Sequence, residues 1–237
     1  MSYFKNFPNT LYTFSSGDSI TTNLTAYAEI LDQVRISSTF YQDYYIMNGE
    51  RPDHVAFKFY NDPQLHWVFF LMNPVLRENG WPMSSEEILG KVKKDHPNHT
   101  ITIQADITSI LHVGQVIQGY SSESIGTIVH RNLDLGQITV RTDGPFQQDE
   151  LIKDVDTGEV YTFTIAAASS EHLAAHHYEL NGEWFDINPY EPLPPTVVKV
   201  TNLDYYVSEN NNMKQIRIIK PSSINAVVSA FKQALNS

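Results

Sequence analysis

The sequence predicts an α+β protein: a βααβ core with N- and C-terminal helices, interrupted by a small all-β inserted domain. Three observations predict it. Between Arg51 and Pro74, in RPDHVAFKFYNDPQLHWVFFLMNP, two prolines each open a helical turn, with only an Asn-Asp pair between the segments. From about Ile101 to Ile165, short β-branched runs alternate with the turn signals LDLG, DG and DTG. Near the end a strand-like KQIRIIK precedes a proline and an apolar stripe at helical spacing. With 237 residues, 41% of them hydrophobic and 18% charged, the chain is long and apolar enough to bury a core.

Residues 1–23 are polar, contain SSGDS and read as an extended arm or loop. Residues 24–100 form the first part of the core. Leu24, Tyr27, Ala28, Leu31 and Val34 keep a helical period. STFYQDYYIM is rich in Tyr, Phe and Ile and reads as a strand ending at Asn48-Gly49. Pro52 suits a first helical position, where its missing N–H has no intrahelical partner anyway, and Asp53 favours the positive end of the helix dipole. Val55, Ala56, Phe59 and Tyr60 fall on one face. Asp62 is placed to cap a second helix that opens on Pro63. In that helix Leu65, Val68, Phe69 and Met72 form the inner face, and Trp67, Phe70 and Leu71 widen it until Asn73-Pro74 stops it. A helix apolar on so many sides must be covered on several sides. WPMSSEEILGKVKK then reads as a helix capped at Ser84 or Ser85, with glutamates in its first turn.

Residues 101–165 carry short strands at the spacing of a small antiparallel barrel or sandwich. In 166–204, ASSEHLAAHHYEL is briefly helix-like, NGEWFDI reads as a hairpin edge, and NPYEPLPP reads as a stiff extended connector. Residues 205–237 bring the closing strand and a helix whose stripe is Ile224, Val227, Val228, Phe231 and Leu235.

Charge and motifs narrow the function. Net charge is 16 − 27 = −11, without the basic patch a nucleic-acid binder shows; Lys91, Lys93 and Lys94 read as the solvated end of a helix. The absence of cysteine removes disulfides and thiolate chemistry. MSYFKNFPNT lacks the apolar segment of a signal peptide, and Trp67 to Met72 is too short to span a bilayer. A soluble protein made in the cytoplasm, with no membrane partner, is expected. His172 and His176 stand four apart beside His177, but Leu173 occupies the place a zinc-protease base would take, so chance clustering on a polar surface is the preferred reading. DVDTGEVYTFTI begins like a calcium loop yet has Ile165 where the bidentate glutamate belongs, so it reads as a hairpin turn. No phosphate loop, dinucleotide fingerprint or nucleophile elbow is present. The expectation is no enzyme, no cofactor and no metal.

The order strand, helix, two-residue turn, helix and later strand resembles a LysM-type βααβ module, with Tyr60, Asp62, Pro63, Trp67 and Asn73 matching its pattern. Two departures argue against glycan binding. The closing strand, Gln215 to Ile219, comes late, and NGERPDHV replaces the usual entry, putting Glu50 and Arg51 at the rim of the groove. A closer resemblance spans roughly Thr25 to Lys94 and Tyr205 to the C terminus, through NGERPD, YNDPQLHWV, NGWP and KQIRIIKPSSIN. These segments resemble the baseplate wedge proteins of T-even-like contractile-tailed phages, the gene-fifty-three product family, which carries a LysM-like fold. The resemblance implies a structural subunit, without catalysis, that binds other baseplate wedge subunits and helps join neighbouring wedges around the hub. It would sit in the virion tail baseplate and in the host cytoplasm during assembly. The alternative is a LysM-type peptidoglycan-binding module of a phage tail. Interface candidates are Tyr45, Glu50, Arg51, Trp81, Pro82, Val228, Phe231 and Leu235. For the C-terminal stripe, packing on its own core is favoured over packing on a partner.

Overall fold

The computed structural model describes residues 9–14, 17–22 and 39–235. The chain divides into two compact units, residues 1–85 with 209–237 and residues 86–208.

In the first unit, β1 (Asn9–Phe14) and β2 (Gly17–Thr22) pair as an antiparallel hairpin, with Leu11 opposite Ile20. The polar arm is thus a paired ribbon over these residues. Its Thr, Tyr and Ile side chains suit a pleated backbone. The helix expected from Leu24 to Val34 lies outside the described residues. After β3 (Tyr41–Tyr45), α1 (Pro52–Tyr60) starts with proline in its first turn and Asp53 beside it. It ends on Asn61 in the left-handed region, at φ 54°. A single 3₁₀ turn, Pro63–His66, follows; Asp62 Oδ1 accepts a hydrogen bond from the Gln64 N–H at 2.9 Å. Then come α2 (Trp67–Met72) and α3 (Pro74–Asn79).

The helix does stop at Asn73, whose backbone is extended (φ −123°, ψ 97°), as the residue before a proline prefers. However, Pro74 at once opens another short helix that the sequence reading did not foresee. The proline that cannot continue one helix is pre-set to begin the next.

The core shows why α2 is apolar all round. On one side Trp67, Val68, Leu71 and Met72 pack with Ile219, Ile224, Val227 and Phe231. On the other, Phe69 joins Ile46, Val55, Ala56, Leu76, Ile216 and Ile218. Burying a side chain of this size stabilises by roughly 1.5–3 kcal/mol, so these two clusters hold the unit. The return strand that serves both, Gln215–Ile219, pairs antiparallel with β3, from Gln215↔Tyr45 to Ile219↔Tyr41.

The second unit holds a closed six-strand antiparallel barrel, the first of the two forms, barrel or sandwich, that the turn spacing allows. Its strands are β4 (His99–Ile103), β5 (Val116–Gly119), β6 (Ile125–Asn132), β7 (Gln137–Thr142), β8 (Leu151–Asp154) and β9 (Val160–Ser170), in the order β4-β7-β6-β5-β8-β9. The interior is Ile101, Ile103, Ile107, Leu111, Ile117, Ile128, Ile138, Val140, Phe146, Ile152, Tyr161 and Ile165. The calcium-like segment is indeed a hairpin turn. Asp154 Oδ1 accepts from the N–H groups of Asp156 and Thr157, both at 2.8 Å, and Gly158 takes φ 75°.

A three-stranded sheet follows, β11 (Glu183–Trp184), β10 (Ala175–Leu180) and β12 (Val198–Thr201), in the order β11-β10-β12. Here the helix-like reading of ASSEHLAAHHYEL is corrected. Only Glu171–Leu173 forms a 3₁₀ turn, and Ala175–Leu180 is a strand paired on both edges. Ladder partners override a weak helical propensity.

The remaining elements are α4 (Ser85–Asp95), α5 (Asn202–Asn212), β13 (Gln215–Ile219) and α6 (Ile224–Leu235). The sequence reading passed over α5. It opens on a reciprocal cap: the Thr201 hydroxyl and N–H both donate to Asp204 Oδ2 (2.6 and 3.1 Å), while the Asp204 N–H donates to Thr201 Oγ1 at 3.1 Å.

Candidate functional site

The loop after β3 is built around Glu50. Its Oε2 accepts from the Tyr44 hydroxyl (2.5 Å) and the Met47 N–H (2.9 Å), and its Oε1 from Lys58 Nζ (3.3 Å). Lys58 also donates to the Tyr44 hydroxyl at 3.0 Å. Burial raises the Glu50 carboxyl, but the hydrogen bonds from Tyr44, Met47 and Lys58 outweigh it and hold the group below the usual carboxylate range. From the other side, Trp81 Nε1 donates to the Glu50 carbonyl at 2.6 Å, while its ring sits 5.9 Å from Phe69 and 6.0 Å from Phe70. A loop held this way presents its neighbours in a fixed geometry.

Three asparagine amides complete the unit. The Asn73 side chain donates to the carbonyls of Phe69 (2.8 Å) and Arg217 (2.9 Å) and accepts from the Arg217 N–H (2.8 Å), tying the end of α2 to β13. Asn210, 4% exposed, pairs in the same manner with the backbone of Met83, at 2.8 and 3.0 Å. Asn48 Oδ1 accepts from both the N–H (2.8 Å) and hydroxyl (3.1 Å) of Ser85, where α4 begins.

The structure sorts the expected interface residues into two groups. Tyr45 is 53% exposed, and Arg51 is exposed and pairs with Asp53 at 3.2 Å. Glu50 is half-buried within its hydrogen-bond net. Trp81 is half-buried and Pro82 buried. Phe231 is buried against Trp67, ring centroids 5.2 Å apart, with Val228 partly buried beside the same cluster. Leu235 closes α6, and its side chain is outside the described ones.

Sequence reasoning missed Met47 and Phe57, which are 59% and 58% exposed in the same unit as Tyr45. Phe57 could have been found, since it falls off the helix face that Val55, Ala56, Phe59 and Tyr60 share.

A groove of about 490 Å³ runs beside Asp43, Asn73, Pro74, Val75, Met213 and Arg217. Among the described residues no aromatic side chain lines it to serve as a stacking platform for a sugar ring, and the Asn73 amide is already committed to backbone partners. His176 and His177 lie on β10 of the second unit and His172 in the 3₁₀ turn before it, rather than together on one face of an α-helix. Among the described residues no group of three or more His, Cys, Asp or Glu side chains is arranged to hold a metal ion. Nor is any helix among them long and apolar enough to cross a membrane.

Comparison with known proteins gives one family. Residues 11–94, which contain α1, α2, α3 and the Glu50 loop, match the family model described as base plate wedge protein 53. No curated protein matches the chain.

Proposed function

Because residues 11–94 carry the sequence of the base plate wedge protein 53 family, we propose that the chain is a structural, non-enzymatic subunit of a phage tail baseplate wedge. In this reading it binds other wedge proteins and helps join neighbouring wedges around the hub. It is made in the host cytoplasm and ends in the virion tail. The observation that carries the reading is the family match falling on the segment whose exposed Tyr45, Met47 and Phe57 stand on a rigid core. Aromatic residues and Met are enriched where proteins meet, and a patch held by a fixed backbone loses little entropy on docking. The β3–α1–α2–β13 arrangement supports a LysM-like core whose second strand is supplied after the β insertion. In this protein that core serves assembly and not sugar binding.

Trp81, Pro82 and Phe231 hold the core, and Tyr45 and Arg51 meet the partner. A tagged chain expressed during phage infection should co-purify with several phage structural proteins in fixed ratio, and Tyr45→Ala with Phe57→Ser should stay folded yet fail to enter particles. Recovery of cell-wall fragments alone would revive the glycan-binding alternative, and normal incorporation of the double variant would remove this face from the interface.

A further inference from the structure

In the second unit a groove of about 750 Å³ is lined by Asn132, Asp134, His177, Trp184, Asp186 and Tyr190 among others. Its size is that of a ligand site. Trp184 is 68% exposed, yet its ring is not loose. The His177 imidazole stacks on one face at 4.0 Å and 9°, and His177 is itself 6% exposed. His177 is held in turn by Glu179, at 3.1 Å from Nε2, and by His176, whose Nδ1 lies 2.9 Å from its own. His176 stacks on Tyr205 at 4.0 Å and 7°. A train of stacked rings therefore fixes the indole on one face, with the His176 ring edge-on to it at 5.8 Å, while the residue stays largely exposed and lines the groove. Fixing a large aromatic in advance removes an ordering cost from any binding event.

The charges in the groove point one way. Among the described residues no lysine or arginine lines it. Asp134 and Asp186 both line it, both are exposed, and neither meets a cation among the described residues. Among the described residues the lysine and arginine contacts with aromatic rings fall on Tyr41, Tyr44, Phe59 and Tyr206, and none of these covers Trp184 or Tyr190. An anionic ligand would meet like charge here. A guanidinium fits both features at once, because its plane stacks on an aromatic face while its edge donates to carboxylates.

We infer that this groove is a docking site for an arginine-bearing peptide segment of a partner protein. The guanidinium lies on the exposed Trp184 ring and pairs with Asp134 and Asp186. This inference does not rest on the wedge reading, because it concerns the other unit and is tested in solution.

The test is calorimetric titration of the full-length chain with a capped pentapeptide carrying two arginines, at about 50 mM salt, where screening is weak. Controls are the same peptide with citrulline for arginine, and chitotetraose as a neutral sugar. The arginine peptide should bind saturably and quench the exposed Trp184 emission. Asp134→Asn with Asp186→Asn should weaken it by about tenfold or more, as expected for lost charge-assisted hydrogen bonds. Asp143→Asn with Asp149→Asn, exposed carboxylates that do not line the groove, should leave it unchanged, and Trp184→Ala should abolish it. Equal weakening by both aspartate pairs would reduce the effect to net charge and overturn the site. Equal binding of the citrulline peptide, binding of chitotetraose alone, or no saturable heat with any probe would each overturn it as well.

Discussion

Asparagine 73 is the residue through which the two halves of the first unit's sequence meet, and its replacement should show how much that costs. Its amide makes three hydrogen bonds of 2.8–2.9 Å, two of them with the backbone of Arg217, a residue 144 positions away. At about 1 kcal/mol net for each, the sum is about 3 kcal/mol. Asn73 is half-buried, so water can reach part of what it leaves behind; Asn73→Ala should therefore cost about 2 kcal/mol. Asn73→Asp is more telling. It keeps the acceptor for the Arg217 N–H but turns an oxygen toward two carbonyls, so the charged form is disfavoured and the introduced carboxyl titrates above its unfolded value. For a raised folded pKa, stability is greatest below the unfolded value and is lost as pH rises through the folded one. Asn73→Asp should thus unfold more easily than Asn73→Ala at pH 7 and recover toward pH 3.5, relative to the parent at each pH. The assay is urea unfolding in a Trp184→Phe background, where emission comes from Trp67 and Trp81, both in this unit. A loss below about 0.5 kcal/mol for Asn73→Ala, or an Asn73→Asp protein indistinguishable from the parent at pH 7, would refute the reasoning.

Three further outcomes follow from the same geometry. Glu150, 4% exposed, accepts from Gln147 N, Ser122 N, Ser122 Oγ and Ser121 N; burial raises its carboxyl, but these bonds outweigh it and the group lies below its ordinary value. Its contribution is therefore present above the unfolded pKa and fades as pH falls through the folded one; Glu150→Gln should cost about 2 kcal/mol at pH 7 and flatten that acid dependence of the second unit's urea midpoint, read by Trp184 emission as the difference from the Trp184→Phe protein. Gly126→Ala would set a methyl 2.5 Å from Val140 Cγ1 and 2.9 Å from the Arg141 carbonyl, so calorimetry should find the barrel destabilised by about 1–3 kcal/mol. Tyr60→Phe removes the hydroxyl that donates to the Ile219 carbonyl at 2.9 Å and keeps the ring on Phe69, so about 1 kcal/mol should go. Burial pushes the Tyr60 hydroxyl well above its ordinary value, so its contribution is whole at pH 7 and begins to fade as pH rises past the unfolded value of about 10; the loss on Tyr60→Phe should be smaller at pH 10 than at pH 7.

Much of the candidate site was legible because it is locally encoded. Pro52, Asp62 and Pro63 announce α1 and the turn after it through chemistry within a few residues, and the Thr201-x-x-Asp204 cap of α5 was equally available though it was not used. The alternation of β3 leaves Tyr45 outside, as a period of two requires. The helix-like stretch before β10 misled because its propensity is weak and its fate rests with β11 and β12.

By itself the sequence determined where α1 and the Pro63 turn begin, the antiparallel β insertion between its turn signals, and the match of residues 11–94 to a family model. Those depend on neighbours along the chain or on the pattern of residue types. Only the tertiary structure decided that Phe231 packs against Trp67, that Trp81 serves the Glu50 loop, and that Asn73 and Asn210 spend their amides on Arg217 and Met83. An amide or an indole has the same composition whether it faces water, a partner or its own backbone. Which one it meets is set by contacts across 127 and 144 residues, and those exist only once β13 has closed on β3.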